Sequence, residues 1–536
     1  MTRPVSPPAS APSGAGRLPG TFAVVAVCVA LLGAVFGFHW ETNDDVAMSM
    51  VAHGYGIAAT GLPNVVFSSV VWGQLVRLLP WIGNMPGYSV ATLAILVVAG
   101  TALIHGLARS GHGNLVAASA AALLLLRPIL FPQFTLNAGL LMVAAYLCWH
   151  VYARQGAGGA LAAGCLLAYC SYLVRGEECL LVFLVGLPLL PVRALLRQRI
   201  GRIAALLLVA AIAGSTLIDH LAYAGEDWTA FRELNPVRAL FTDFGAGERL
   251  KQHPDILQRH GYSTNDIDLV QNWFFADPAI AHPAALRDML AEMGPLPAPD
   301  IALGNAWLGV QVLWQSSLVI LVLAALLLAL LRPGWRIAAC WGLCLAAIVV
   351  LGLLGRPAVL RVYLPMIALL VLAPLLPGAF ADWRRRLAGA ALVLGTLANA
   401  AIAMTEAQHS KAADARIRQE LAGFPGEPVV IWGAAFPFEA VFPVLGAADA
   451  AMSYRLAALG VFAPAPFSVA YAEQAAGRGL MERLVSADGL RVIATDRHIG
   501  YLEIYCRERL QGVLTAMGAE HFGDLTVRRL HCGVAP

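Results

Sequence analysis

The chain has 536 residues, of which 59% are hydrophobic and only 13% charged, with a mean hydropathy of +0.70. Soluble domains carry about 25% charged residues, so the composition excludes a soluble enzyme and describes a polytopic membrane protein. The net charge is +3, from 36 Lys and Arg against 33 Asp and Glu, and no basic run carries interleaved aromatics, so nucleic acid is not an expected partner.

The first 20 residues are rich in Pro, Ser, Ala and Gly, carry Arg3 and Arg17, and read as a disordered cytoplasmic tail. Thr21 to Phe38 is apolar throughout and no small-residue cleavage site precedes His39-Trp40, so it reads as an uncleaved first span. Glu41, Asn43, Asp44 and Asp45 follow directly. A carboxylate pair repels itself and resists desolvation, so at a membrane boundary it points to proton abstraction or cation binding. The bland reading is a solvated loop that begins with acids.

Further apolar stretches recur at 88–108, 114–131, 134–152, 158–174, 178–196, 203–220, 307–331, 337–354, 359–380 and 387–404. With the first, they make about eleven spans of bilayer length. Residues 62–82 are interrupted by Asn64, Gln74 and Arg77 and punctuated by Pro63, Pro80 and Gly83, which predicts an interfacial helix. Short cytoplasmic loops collect Lys and Arg. With the amino terminus inside and 62–82 not crossing, the inside loops hold Arg109, Arg154, the cluster Arg193 to Arg202, Arg332 with Arg336, and Arg384 to Arg386. Glu41, Asp44 and Asp45 then face out, as do segments 39–87, 221–306 and everything after about 405.

Arg127, Arg175, Arg356 and Arg361 sit at outer ends of spans, outside the positive-inside set. Such an arginine either snorkels to headgroups or binds an anion. Four of them level with an acidic pair favour an anion site, because the guanidinium fork matches phosphate.

The loop 221–306 reads as short helices. Trp228, Phe231 and Leu234 make an apolar face, Ser263 or Thr264 is a helix cap, and Asn235, Arg238 and Asp243 form either part of a site or a structural knot. After about 405 the pattern changes: strands are predicted at 428–433, 490–495 and 525–530, with helices at 470–486 and 500–517, a small outer α/β domain. Glu439 lies just after the first of these strands, placed either to reach the acidic pair or simply to be solvated. Nine cysteines form no metal signature; Cys506 and Cys532, both in the outer domain, can pair if that side is oxidising. No Walker A, GxGxxG, HExxH or GxSxG sequence is present, so nucleotide-driven transport finds no support.

The acidic first outer loop with its Asp44-Asp45-Val46 pattern, the many further spans, the second large outer loop and the outer carboxy-terminal domain resemble the GT-C superfamily of integral-membrane glycosyltransferases. Asn235-Pro236-Val237-Arg238 and Asn265-Asp266 resemble motifs of its bacterial-type members. The resemblance implies a mainly α, polytopic bundle of about eleven spans with outer-face loop helices and a small carboxy-terminal α/β domain, divided as tail 1–20, membrane domain 21–404 and outer domain 405–536. It implies transfer of a sugar, with inversion, from a polyprenyl-phosphate donor to a glycan, lipid or protein acceptor at the outer face of a bacterial plasma membrane. Asp44 or Asp45 would be the general base, or would hold a divalent cation such as Mg or Mn; no cofactor is otherwise required. Glu41, Asn43, Arg127, Arg175, Glu177, Arg238, Asp266, Arg356 and Arg361 would bind substrate. Three other readings stay open: a lipid-linked saccharide flippase, a polysaccharide ligase using a polyprenyl-pyrophosphate donor with His39 or His53, and a non-enzymatic scaffold.

Overall fold

A computed structural model of the chain describes residues 18–83, 85–294, 299–357, 359–446 and 454–534. The predicted tail lies, up to residue 17, outside them. Each predicted span has helix in its place. α1 (Leu18–Phe36) is followed by the short helices α2 (Asn43–His53) and α3 (Val70–Leu78), then by α4 (Gly87–Arg109), α5 (Asn114–Leu130), α6 (Phe134–Gln155) and α7 (Gly158–Val174). α8 (Gly176–Gly186), α9 (Val192–Arg197) and α10 (Arg199–Ala222) lead into a loop layer of α11 (Thr229–Thr242), α12 (Ala246–Leu250), α13 (Pro254–Arg259), α14 (Thr264–Gln271) and α15 (Pro283–Met293). α16 (Pro299–Gln311), α17 (Ser316–Leu331), α18 (Trp335–Leu353), α19 (Leu360–Leu372) and α20 (Asp382–Glu420) complete the bundle.

Among the described residues, six helices have the length and apolarity to cross a bilayer alone, or seven if the pair α16–α17, bent by 78°, is one span. The remaining predicted spans are helical but short or broken. α5, α7 and α19 run only 13 to 17 residues, and the span at 178–196 breaks between α8 and α9, where Pro188 and Pro191 remove backbone donors. α6 forms the axis, with 94% of its apolar window buried, whereas α10 buries only 11% of its own and offers its length to lipid. α6 tolerates being enclosed because small residues such as Gly139, Ala144 and Ala145 alternate with large ones, so neighbours approach closely.

The two ends of the bundle differ chemically. At one end Arg109 bonds Gln155 and Arg154 bonds the Ser110 carbonyl (3.2 Å). There His112 meets the Leu375 carbonyl, and Arg332 donates to the carbonyls of Pro374, Gly378 and Ala379. At the other end lie α2, α3, the loop layer and a sheet. α3 has nine residues, too few to cross, and its start is tied to α10 by Ser69 and the Val70 N–H, which both donate to Asp219 (3.0 and 2.7 Å).

The sheet has five strands in the order β2-β1-β3-β5-β4. β1 (Val429–Trp432) runs parallel to β2 (Leu456–Leu459) and β3 (Leu490–Ile493); β4 (Gly512–Phe522) and β5 (Leu525–Val534) form a hairpin whose β5 is antiparallel to β3. Between them run α21 (Phe438–Val441), α22 (Val469–Ala475), α23 (Leu480–Val485) and α24 (Asp496–Arg509). Two sequence expectations need correction here. The helix expected over 500–517 stops at Arg509, because Gln511 and Gly512 turn the chain into the edge strand β4, whose largely exposed face lacks the apolar alternation that marks a strand. The helix expected over 470–486 is split into α22 and α23 at Gly477 and Gly479.

α20 is one helix of 39 residues, so the chain passes from bundle to sheet without a linker at 405. Its far half, Glu406 to Glu420, lacks Gly and Pro and is rich in Ala, Arg and Gln, all good helix formers. Cys506 and Cys532 form a disulfide between α24 and β5. Closing a loop of 26 residues is worth roughly 3 kcal/mol in the chain-entropy account. Cys532→Ser should therefore lower the unfolding free energy of the sheet by that amount and its denaturation midpoint with it; midpoints that are equal with and without reductant would count against it.

Candidate active site

The site begins where α1 ends. Gly37, at φ 83°, reverses the chain, and segment 38–42 is then pinned along the α5–α6 connection by the His39 N–H to the Leu130 carbonyl (2.8 Å) and the Glu41 N–H to the Pro132 carbonyl (3.3 Å). Asp44 and Asp45 fall in the first turn of α2, where the helix dipole favours negative charge. Neighbours on a helix point about 100° apart, so the two acids have different surroundings.

Asp45 points inward and is fully buried. One oxygen accepts from the Tyr88 hydroxyl (2.9 Å) and the Phe134 N–H (3.0 Å); the other accepts from the Thr42 hydroxyl (3.4 Å). Burial pushes this carboxyl well above the ordinary range, with Asp44 adding to the rise and Tyr88 opposing it. Asp44 points the other way, keeps 28% of its side chain exposed, and stands 3.6 Å from the Arg361 guanidinium, itself 35% exposed. Arg175 and Glu439 also lie within electrostatic reach of Asp44. Glu439 comes from α21, which packs on α2 and is fastened by the Trp40 indole N–H to the Phe442 carbonyl (3.0 Å). Burial raises its carboxyl, and Asp414 and Asp44 raise it further.

Of the other expected substrate contacts, Arg175 joins this group. Its Nε meets Glu177 (3.2 Å), and its guanidinium lies over the rings of Phe67 (5.6 Å) and Phe134 (5.2 Å). Asn43 is exposed at the start of α2. Arg127 and Glu41 are placed differently. Arg127 is 6% exposed and spends its two terminal nitrogens on Glu41 (3.1 Å) and on Glu406 of α20 (2.5 Å), tying the acidic loop to α5 and α20. Burial raises the Glu41 carboxyl against the pull of Arg127.

Arg238 grips Asn235 (2.6 Å) and Asp243 (3.4 Å), and Arg356 reaches the same Asp243 (3.2 Å). This knot anchors the loop layer to the α18–α19 connection, five residues from Arg361. Asp266 does not join Asp44. It closes a capping box with Ser263 and pairs with Arg509, so both of its oxygens are engaged within the outer layer. The two histidines are also engaged: His39 pairs with Asp414 (2.9 Å), and His53, lowered to about 4 by burial and Arg77, accepts the Tyr88 N–H (3.1 Å).

Sequence reasoning missed Tyr88, Phe134, Phe67 and Asp414, since nothing in a single sequence says that an aromatic at the head of one span touches a loop before it. Glu406 had a weak signal, an acid on the polar continuation of an apolar helix. Among the described residues no three His, Cys, Asp or Glu side chains group as metal ligands. With Asp45 committed to its three donors, Asp44 is the acid of the pair that keeps a partly exposed carboxylate, and it faces Arg361.

Beside Arg175 a lateral groove of about 720 Å³ opens between α6, α7, α8 and α10. Phe67, Ser69, Tyr172 and Glu177 line its outer end, and Met142, Trp149, Phe183 and Leu208 its apolar depth. A second cavity of about 550 Å³ lies between α11 and the sheet, and none of the expected site residues line it.

These features define a class: the chain is a polytopic helical membrane protein carrying an outer layer of short helices and a small sheet. No family model matches the chain, and no curated protein does. Two solved structures align with it, those of ArnT from Cupriavidus metallidurans bound to undecaprenyl phosphate and in the apo state. Each alignment covers 95% of this chain and 97% of the other, at 10% and 12% identity with TM-scores of 0.36 and 0.38. Likeness at that level transfers no activity.

The Asp45 environment gives a paired prediction. Asp45→Ala strands the Phe134 N–H and the Tyr88 hydroxyl in the interior, at about 1–3 kcal/mol each, and should lower the melting temperature in detergent sharply. Asp45→Asn keeps an acceptor there and should melt near wild type. Because burial raises this acid above its unfolded value of 3.8, both states are protonated at low pH. Ionisation then disfavours the folded state as pH climbs from the unfolded value through the raised one. Asp45→Asn should remove that share of the pH-dependent loss; an unchanged stability–pH curve would refute it.

Proposed function

We propose that the chain is a membrane glycosyltransferase that moves a sugar from a polyprenyl-phosphate carrier to an acceptor hydroxyl at the outer face of a bacterial plasma membrane. The observation that carries this reading is the meeting of Asp44, Arg361 and Arg175 beside the outer end of a lipid-level groove. The groove suits an isoprenoid tail, the two guanidinium groups suit its phosphate, and the partly exposed carboxylate suits an acceptor proton.

In the proposed reaction an Asp44 carboxylate oxygen takes the proton of the acceptor hydroxyl as that oxygen attacks the anomeric carbon. The bond from that carbon to the phosphate oxygen breaks on the opposite face, its electron pair stays on the phosphate, and configuration inverts. Arg361 and Arg175 meet the charge that builds on the leaving phosphate, a preorganised stabilisation of about 3 to 4 kcal/mol per key donor. Asp45 is assigned to orientation, because it is buried and its oxygens are already committed. No step requires a divalent cation.

The test uses the full-length protein in detergent or nanodiscs with radiolabelled polyprenyl-phosphate sugars. Asp44→Asn should lower the turnover of sugar by about 100- to 10,000-fold, the range of general-base assistance. Arg361→Ala should reduce transfer while the protein melts as wild type, and EDTA should leave transfer intact. Full activity in Asp44→Asn would remove the base assignment. Donor crossing the membrane of proteoliposomes without any sugar transfer would favour the flippase reading instead.

A further inference from the structure

Segment 62–69, between α2 and α3, carries an unusual backbone. Val66 sits at φ 67°, in the left-handed region that a β-branched residue avoids. The neighbours that hold it there come from two different helices. The Tyr223 hydroxyl, just past α10, accepts the Val66 N–H (3.2 Å), and the Asn64 amide donates to the Ala222 carbonyl (3.2 Å). On the other side, the Ser68 hydroxyl donates to the Val174 carbonyl (2.6 Å) and the Ser69 N–H to the Leu173 carbonyl (2.9 Å), both at the end of α7.

The clipped turn presents Phe67 in a defined place. Its ring stacks on Phe134 at 5.9 Å and 17°, meets Phe462 of the outer layer edge-on at 5.5 Å, and lies 5.6 Å from the Arg175 guanidinium. The same side chain lines the lateral groove. Phe67 therefore touches the apolar channel and the cationic group at its mouth, while its stacking partner Phe134 holds Asp45 through its backbone N–H.

We infer that Phe67 is a positioning residue at the junction of groove and charged centre. An isoprenoid phosphate lying in the groove packs its first units against this ring, while the ring, with Phe134, fixes Arg175 so that the open edge of the guanidinium faces the lipid's phosphate. The strained Val66 turn is what keeps the ring there. This assignment rests on the donor proposed above and adds to it the residue that sets lipid and phosphate in register.

The experiment measures binding of a short-chain polyprenyl phosphate, without sugar, to the full-length purified protein by native mass spectrometry, alongside its melting temperature. Phe67→Leu keeps apolar volume but removes the aromatic face, and should weaken binding about tenfold, the scale of a partly desolvated cation–π contact, without shifting the melting temperature. Phe67→Tyr should restore it. Val66→Gly relieves the left-handed strain but also removes a half-buried side chain at the groove wall, and it should bind more weakly because the ring is less firmly held. Equal affinity in wild type and Phe67→Leu, or in wild type and Val66→Gly, would overturn the inference and leave the donor reading intact. A wild-type protein that binds inorganic phosphate as well as it binds the lipid, or that binds neither, would overturn both.

Discussion

The outer end of the molecule depends on how one buried carboxylate is satisfied. A charge-bearing group enclosed by protein must have its hydrogen bonds supplied, and Asp45 draws them from Thr42 before α2, Tyr88 at the head of α4 and Phe134 at the head of α6. Three separate parts of the chain are thereby fixed to one side chain. Because adjacent helical residues diverge, locking Asp45 inward obliges Asp44 to face Arg361. The division of labour between two neighbouring acids thus follows from helix geometry and desolvation together.

The arginines divide by the same physics. Arg127 and Arg238 are almost enclosed, 6% and 7% exposed, and each is matched by acceptors in its own neighbourhood. Removing a partner from such a pair leaves an uncompensated buried charge, so these residues hold elements together. Arg361 is more open and stands at a longer distance, 3.6 Å, from Asp44. Arg175 gives its Nε to Glu177 and is otherwise braced by ring faces, which attract a cation without engaging its terminal N–H donors. A guanidinium held that way keeps hydrogen-bonding capacity for an anion.

Much of this was legible in the sequence, and what was not has identifiable causes. Apolar runs of bilayer length marked the helices of the bundle, because hydrocarbon leaves the backbone little alternative. The charge bias likewise grouped Arg109, Arg154 and Arg332, which gather at one end, apart from Glu41, Asp44 and the outer loops. The capping box at Ser263 and Asp266 was visible as a pattern, yet Asp266 also read as a substrate contact, since a cap and a ligand ask for the same residue type. β4 was hidden because it is an edge strand, paired with β5 and otherwise largely exposed, and the Phe67 and Phe134 stack was hidden because residues 67 apart in sequence share no local signal.

α20 carries a consequence of a mechanical kind. At 1.5 Å per residue its 39 residues measure about 58 Å, nearly twice the roughly 30 Å of a hydrocarbon core. It rises unbroken from the bundle to Glu420, short of the first strand at Val429, and along that rise it holds the acidic loop directly, with Asp414 on His39, and through α5, with Glu406 on Arg127. A rigid strut of this length acts as a lever: a small tilt in the membrane becomes a larger swing of the sheet, and the loop bearing Asp44 is carried with it. The sheet and the acidic loop are therefore tied to the same helix.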